Sequence, residues 1–497
     1  MNRSNETHSP TTESDQVRIK QSLSERPRPE NHVIVIFGIT GDLARRKILP
    51  GLYHLAVAGL LPEHYRIIGC ARPQSAMSEE EFRSYAYDAA CEFASDKPVG
   101  SGWDNFAKNL SFAVDPDDGP RGLVSVVERA EAEIGGNVRR LYHLAIPPGA
   151  MRAVIKLLGE TGLNENARII CEKPFGVDLA SAQELNREIT EYFEESQVFR
   201  IDHYLGKESI ENILALRFAN ELFEPLWRRN HVQFVQIDVP EMLSIEGRGA
   251  FYDQTGAFRD MVVTHLFQVL GMLAMEQPTS LTARPLRDEV NKVFETLRPL
   301  DPHDVVRGQF VGYHDEKGVK PDSDTETFIA LRAWIDNSRW KGVPFYLRTG
   351  KCLAESQQMI TIGLREPVME IFPDEMADPR HDGDKLIIDF KDPGSIHAHF
   401  LAKQPGPEMS LGLAKMHFHY QESFQEKNNL EAYERLLLEV MLGNQALFTR
   451  SDGIERLWEV AAPLLESPPP IEYYERGTWG PSSINGVVKP DHWTLPE

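Results

Sequence analysis

From about residue 32 the chain alternates short β-rich runs with helical stretches, and that rhythm constrains the fold more than any other feature. Consecutive parallel strands need a crossover, and helices supply it, so the expected product is an α/β, doubly wound sheet. The strand candidates are His32 to Phe37 (HVIVIF), Arg66 to Cys70, Leu141 to Ile146, Ala167 to Cys171 and Val198 to Ile201. Between them Arg46 to Leu60, Ser78 to Phe93, Gly149 to Gly159 and Asp178 to Phe193 read as helices. Together they predict a Rossmann-like first domain over residues 31–201.

Past this point the pattern changes. A helix is expected from Lys207 to about Asn220, a strand at Val235 to Val239 and a strongly apolar helix around Asp260 to Met275. Alternating strands follow: Ile329, Leu331, Ala333 and Ile335 share one face, as do Leu386, Ile388 and Phe390, and Met416, Phe418 and Tyr420. Strands joined without helices imply antiparallel pairing. Helices at about Leu430 to Phe448 and Asp452 to Leu465 precede a Pro-rich connector and an irregular tail. Residues 202–497 therefore predict an α+β domain with a large, mainly antiparallel sheet, and 497 residues are too many for one core. Residues 1–30, rich in Ser, Thr, Glu, Gln and Pro without an apolar stretch, read as a disordered leader. The net charge of −22 argues against a nucleic-acid or anionic membrane partner, so an anionic substrate needs a local basic pocket. No apolar run approaches transmembrane length. Cys70, Cys91, Cys171 and Cys352 lie far apart with no C-x-x-C pair, the pattern of a reduced, cytoplasmic protein.

After the first strand comes Gly38-Ile39-Thr40-Gly41-Asp42-Leu43-Ala44-Arg45-Arg46-Lys47, a turn opening a helix. Gly38 permits the tight turn, Gly41 lets backbone N–H groups approach a pyrophosphate, and small Ala44 lets the helix lie close to the sheet. The spacing G-x-x-G-x-x-A also fits a plain strand-turn-helix joint; its place after the first strand is what points to a dinucleotide. Residues 38–45 are the expected cofactor contacts. An NAD site offers an acid at the end of the second strand, whereas here that strand ends in Arg72, which suits a 2′-phosphate. NADP is the expected cofactor, with NAD a weaker substitute.

The run Arg200-Ile201-Asp202-His203-Tyr204-Leu205-Gly206-Lys207-Glu208 sets an acid, an imidazole, a phenol and an ammonium where an apolar strand gives way to a helix. Adjacent residues at a strand end point to opposite faces, so Asp202 and His203 can serve different partners. Read alone, the run fits an ion-paired helix start as well as a site. Lys173, in Cys171-Glu172-Lys173-Pro174-Phe175-Gly176, stands at a sheet's carboxyl edge, where ligands bind in open α/β folds. It precedes a proline, and such bonds adopt cis at modest cost. His265, in Arg259-Asp260-Met261-Val262-Val263-Thr264-His265-Leu266, is a natural base near neutral pH, although a His among Val263, Leu266 and Phe267 also fits a satisfied core residue. Asp260 and His265 lie five apart, and at roughly 100° per residue they do not share an α-helical face.

At these residues the chain resembles the glucose-6-phosphate dehydrogenase family. The likeness lies in G-x-x-G-D-L-A, E-K-P-F-G, R-I-D-H-Y-L-G-K-E, E-G-R-G (Glu246 to Gly249), R-D-x-x-x-x-H, V-P-F-x-L-R-x-G-K (Val343 to Lys351) and A-Y-E-R-L-L-L-E (Ala432 to Glu439). These stand in family order over residues from about 32 to 465. The resemblance implies oxidation of D-glucose 6-phosphate at C1 to the 6-phosphogluconolactone with hydride transfer to NADP, opening the oxidative pentose phosphate route, in a homodimer or homotetramer. It implies His265 as general base and Asp202 as the group holding its imidazole. By the same likeness His203, Tyr204 and Lys207 hold the phosphate, and Lys173 reaches the substrate and lies near the cofactor. Glu241, Asp260 and Lys351 then bond sugar hydroxyls or neighbouring groups. Carboxylates suit hydroxyl donors, and Lys and His suit a phosphate.

Departures from the family pattern carry expectations of their own. His143 stands where animal relatives have Tyr, so that cofactor contact is not expected. The stretch Cys352 to Gln358 lacks the second basic residue usual after Lys351, and Asp389 replaces an Arg that holds a second, structural NADP in animal relatives, so no such second site is expected. His397-Ala398-His399 and His417-Phe418-His419 bring imidazoles to neighbouring strands, as a metal site does. With no Cys beside them and no metal in the resembled family, a polar sheet face or a subunit contact is expected instead, and no metal. Two other readings remain: an oxidoreductase for another sugar, since E-K-P also occurs in glucose-fructose and inositol dehydrogenases, and a catalytically silent NADP-binding regulator. The cations of H-Y-L-G-K argue against the first, and the presence of Asp202, Lys207 and His265 argues against the second.

Overall fold

The computed structural model describes residues 28–494 except 115–120, 246, 370, 374–375, 377, 379, 393 and 425–429. The expected leader, apart from residues 28–30, and Glu246 lie outside the described residues. Strands β1 (His32–Phe37), β2 (Tyr65–Ala71), β3 (Leu110–Val114), β4 (Arg139–Leu144), β5 (Ala167–Cys171) and β6 (Val198–Arg200) form a parallel sheet in the order β3-β2-β1-β4-β5-β6. Every residue of β1 is buried, as befits a strand covered on both faces. Several expected edges move: β2 covers Tyr65–Ala71 rather than Arg66 to Cys70, β4 covers Arg139–Leu144 rather than Leu141 to Ile146, and β6 ends at Arg200 rather than Ile201. The sixth strand, β3, lies between the Gly100–Ala107 and Arg121–Ile134 helices, and none of these three had been singled out from sequence. The expected helices at Ser78 and Asp178 start at reciprocal caps. The Ser78 hydroxyl accepts the Glu81 N–H while the Glu81 carboxylate accepts the Ser78 N–H, and Asp178 and Ser181 repeat the device.

The second sheet holds β7 (Val232–Pro240), β8 (Val305–Phe310), β9 (Phe328–Trp334), β10 (Pro344–Gly350), β11 (Met359–Leu364), β12 (Lys385–Asp389), β13 (Ser395–Lys403), β14 (Leu411–His419) and β15 (Ile471–Tyr474). Their order is β14-β13-β12-β11-β7-β10-β9-β8-β15. Pairing is antiparallel except for β7 with β10 and β8 with β15. The tail expected to be irregular thus supplies an edge strand; four residues behind a proline run are too few for a period to show. Helices Glu208–Phe218, Phe267–Ala274, Ala283–Thr296 and Ser451–Glu466 cover one face, where Ile213, Leu270, Val290 and Leu457 join Val235, Ile237 and Leu331 in a single core. On the other face the C-terminal segment packs only part of the sheet, with Trp493 6.3 Å from Tyr346 between ring centroids.

One element returns to the first sheet. Leu436, Leu437, Val440 and Met441 of the Ala432–Leu442 helix share a core with Ile34, Ile36 and Leu52. Phe448 beyond it meets Phe199 of β6 edge-on at 4.9 Å. This helix braces the crevice that opens where β5 and β6 end.

Candidate active site

Strand β6 stops at Arg200, and the chain then curls through two turns, closed by Leu205 N–H to Asp202 O at 3.1 Å and Lys207 N–H to Tyr204 O at 3.2 Å. That curl, rather than strand alternation, sets both Asp202 and His203 beside His265. Alternation ends with the strand, and both side chains reach His265. His265 Nδ1 donates to Asp202 Oδ1 at 2.7 Å, and Tyr204 N–H donates to the same oxygen at 2.9 Å. The rings of His203 and Tyr204 each lie 4.7 Å from that of His265, Tyr204 stacked at 22°. Asp202 and His265 are both buried. Because a carboxylate only accepts, the proton sits on Nδ1 and the lone pair on Nε2, which has no partner among the described residues.

His265 is carried by a helix that is not α. Phe258–Leu266 is a π-helix: Phe267 N–H bonds Val262 O, and Thr264 Oγ bonds Arg259 O, each five residues back. The wider winding brings Asp260 and His265 round to the same side, which corrects the phase expected of an α-helix. Such turns are rare and concentrate at functional sites. Asp260 accepts from Lys173 Nζ at 2.8 Å, two residues past β5, and the Lys173-Pro174 peptide is cis. Burial pushes the Asp260 carboxyl up, but Lys173, His265 and Lys351 outweigh it and hold it below its ordinary value.

Parallel pairing of β7 with β10 sets Pro240 opposite Gly350, so Glu241 and Lys351, one residue further on each strand, form an ion pair. Lys207, at the start of the Glu208–Phe218 helix, bonds Gln358 Oε1 and, at 3.1 Å, Phe390 O. It stands 5.3 Å from the Tyr204 ring. Burial lowers the Lys207 ammonium. Burial first, then the charges of His265, Lys173 and Lys207, drives His203 well below its ordinary value and keeps its ring neutral. Burial, followed by Glu241, Asp202 and Asp260, raises the Tyr204 phenol. Lys173, Asp202, His203, Tyr204, Lys207, Glu241, Asp260, His265 and Lys351 thus act on one another in a single crevice.

Three further residues belong beside them. Glu172 bonds His143 Nε2 at 2.8 Å and accepts from the Tyr433 hydroxyl at 3.1 Å, and the Tyr433 ring stacks over His203 at 6.3 Å. Both Glu172 and Tyr433 sit inside motifs already singled out, E-K-P and A-Y-E-R, which was the available signal. Gln358, the partner of Lys207, carried none.

The glycine turn lines a cleft of about 510 Å³ with Thr40, Arg72, Ser75 and Ile146, within the size range of cofactor sites. Gly38 has φ +77°, and a Cβ there would lie 2.3 Å from Ala145 O. Gly41 N–H closes the turn on Gly38 O at 2.9 Å. Ile39 and Ala44 are buried in the core and Leu43 half-buried, so they shape the turn, while Thr40 and Asp42 are exposed. Arg45 is held by Glu92 at 2.8 Å, and Arg72 has no ion-pair partner among the described residues.

The family model described as "Glucose-6-phosphate dehydrogenase, NAD binding domain" matches residues 35–212, and the one described as "Glucose-6-phosphate dehydrogenase, C-terminal domain" matches residues 214–494. Glucose-6-phosphate 1-dehydrogenase 2 of Mycobacterium tuberculosis is 40% identical over 473 residues, covering 90% of this chain and 91% of the relative. The glucose-6-phosphate 1-dehydrogenase of Dickeya dadantii is 38% identical over 486 residues, covering 92% and 96%. Among solved structures, the glucose-6-phosphate 1-dehydrogenase of Mycobacterium avium superposes with a TM-score of 0.83 at 34% identity, covering 94% of this chain and 99% of that one. A glucose-6-phosphate dehydrogenase in complex with its substrate glucose-6-phosphate superposes with a TM-score of 0.87 at 34% identity, covering 95% and 100%. With both halves matched in order and relatives aligned nearly end to end, the chain belongs to the glucose-6-phosphate dehydrogenase family.

Proposed function

We propose that this chain oxidises D-glucose 6-phosphate at C1 to 6-phospho-D-glucono-1,5-lactone with NADP as the hydride acceptor. The observation that carries the reading is the state of His265: Nδ1 held by Asp202, Nε2 bare and buried. Nε2 takes the C1-hydroxyl proton, and the Asp202 carboxylate stabilises the imidazolium that results. Lys207, with His203 and Tyr204, holds the phosphate by exchanging Gln358 and the Phe390 carbonyl for phosphate oxygens. With Lys173 and Lys351 nearby, this is the local basic pocket that an anionic sugar needs on a chain of net charge −22. Asp260 and Glu241 accept from sugar hydroxyls, and Lys173 stands between sugar and cofactor.

The cleft beside the glycine turn suits a dinucleotide, since Gly38 leaves no room for a side chain and Arg72 is uncommitted. The backbone of residues 38–45 cradles the pyrophosphate, and Arg72 meets the 2′-phosphate, which favours NADP over NAD. The bound nicotinamide supplies the hydride acceptor. The same reading divides the chain into a cofactor unit over 31–201 and a substrate and assembly unit from 202 onward, in a cytoplasmic homodimer or homotetramer. Four cysteines without a disulfide suit a reducing compartment, and light scattering measures the assembly. The test is absorbance of reduced cofactor with glucose 6-phosphate or glucose, and NADP or NAD, in all four combinations. Fastest turnover is expected with the phosphorylated sugar and NADP. Glucose serving equally well would move the reading to a dehydrogenase of unphosphorylated sugars.

A further inference from the structure

Beside His203 runs a buried hydrogen-bonded chain to which the proposed reaction gives no role. His143 of β4 is 1% exposed, and Glu172, one residue past β5, is 6% exposed. The two strands lie parallel and adjacent, and His143 Nε2 stands 2.8 Å from Glu172 Oε1. The other carboxylate oxygen, Oε2, lies 3.1 Å from the hydroxyl of Tyr433, which the returning Ala432–Leu442 helix carries. Burial first, and then Glu172 and Asp202, raise the Tyr433 phenol, so it keeps its proton and donates. A carboxylate only accepts, and each oxygen of Glu172 therefore has its own donor, one from a strand and one from a helix. Loss of either donor would leave a buried oxygen without that partner, so the three side chains are fixed as a unit.

The far end of the chain reaches the substrate side. The Tyr433 ring stacks on that of His203 at 16°, with 6.3 Å between centroids. His203 is also flanked by the rings of Tyr204 at 4.8 Å and His265 at 4.7 Å. Those two neighbours are tied to Asp202, Tyr204 through its backbone N–H and His265 through Nδ1. The Tyr433 wall is tied to Glu172 instead, and through it to His143. Walled on three sides, the His203 ring is held before a sugar arrives, and a group ordered in advance loses little freedom on binding.

We propose that His143 and Glu172 are positioning residues for the phosphate end of the substrate: through Tyr433 they hold the His203 ring in the orientation that receives a phosphate. The inference rests on reading the crevice as a glucose 6-phosphate site. The test is steady-state kinetics of the full-length enzyme with glucose 6-phosphate and with glucose, each with NADP. His143→Phe keeps a ring on the strand and removes the donor to Glu172. KM for glucose 6-phosphate is expected to rise ~3- to 10-fold, the weight of one or two side chains left to order on binding, at nearly parental kcat. KM for NADP and kcat/KM for glucose are expected to stay parental, since glucose brings no phosphate to His203. His143→Gln, which keeps an N–H donor, is expected to restore most of the loss, and the double variant H143F/Y433F to be no worse than the poorer single one. Should His143→Phe not fold, Tyr433→Phe, which removes one oxygen from a half-buried ring, is expected to raise the same KM by a similar factor. An unchanged KM for glucose 6-phosphate, equal losses with glucose and NADP, or a Gln variant no better than the Phe variant would each overturn the proposal alone, provided the parent still prefers the phosphorylated sugar. A parent that oxidises both sugars alike would overturn the proposed function and this inference together.

Discussion

A single 2.7 Å bond between Asp202 and His265 decides which imidazole nitrogen is free to act. The same Asp202 oxygen also accepts from the Tyr204 N–H, so in the proposed reaction the carboxylate acts on the base rather than on the sugar. Replacing Asp202 by Asn keeps the volume but removes the charge that fixes the tautomer and stabilises the imidazolium. Asp202→Asn is expected to lower kcat by ~10²–10⁴, the range of a general base, and to leave KM for glucose 6-phosphate nearly unchanged. Steady-state kinetics separate the two constants, and a raised KM at parental kcat would instead make Asp202 a substrate ligand. The residue types of this site were legible in sequence, because an acid, two histidines and lysines crowd into a few short motifs. Their pairing was not: Asp202 and His265 are 63 positions apart, and only a resemblance joined them. Asp260 and His265 were out of phase on paper because the reading assumed α winding. Nothing in Phe258-Arg259-Asp260-Met261 announces the extra residue per turn.

At the scale of the element, β1 opens on a polar residue buried as deeply as its apolar neighbours. His32 Nδ1 donates to Glu30 O at 2.6 Å, and Nε2 is buried without a partner among the described residues. Burial first, and then Arg168 and Arg139, lower its pKa to about 4, against the bond to Glu30. Unfolded, the same ring titrates near 6.5. Between these values the unfolded chain takes up a proton that the folded chain refuses. The contribution to stability is therefore complete above pH 6.5 and lost progressively as pH falls to about 4. Each pKa unit is worth ~1.4 kcal/mol, so the loss levels off at roughly 3 kcal/mol. His32→Asn keeps a donor for Glu30 O and removes the titration. Urea unfolding at pH 7, 5.5 and 4.5 is expected to show the parent losing stability relative to this variant as pH falls; parallel curves would mean that His32 titrates alike in the folded and the unfolded chain. Strands such as β1 were legible because parallel strands are apolar throughout. β3 and β15 were not, since an edge strand of four or five residues has too short a period to stand out from a loop.

For the whole molecule, the division read from sequence at residue 202 is one of topology more than of packing. The first sheet is complete by Arg200, yet part of its cover comes from far along the chain. Leu436, Leu437, Val440, Met441, Leu447 and Phe448 are almost fully buried in the core that holds Ile34, Ile36 and Leu52. Arg168 donates to Val440 O at 2.9 Å and to Met441 O at 2.7 Å, and Thr449 N–H bonds Arg200 O at 3.3 Å. Burying a large apolar side chain contributes about 1.5–3 kcal/mol, so six of them contribute on the order of 10 kcal/mol, which is comparable with the whole stability of a domain. A fragment of residues 28–205 is therefore expected to lack a cooperative thermal transition and to bind a dye of exposed apolar surface. Supplying residues 430–450 on a flexible linker is expected to restore both the transition and the binding of NADP. Circular dichroism and fluorescence titration check each step. A fragment that melted sharply and bound NADP as the whole chain does would show that the returning helix serves only to shape the substrate crevice. Loss of both properties would tie cofactor binding to the same helix that carries Tyr433 against His203, so that the two halves of the site fold as one.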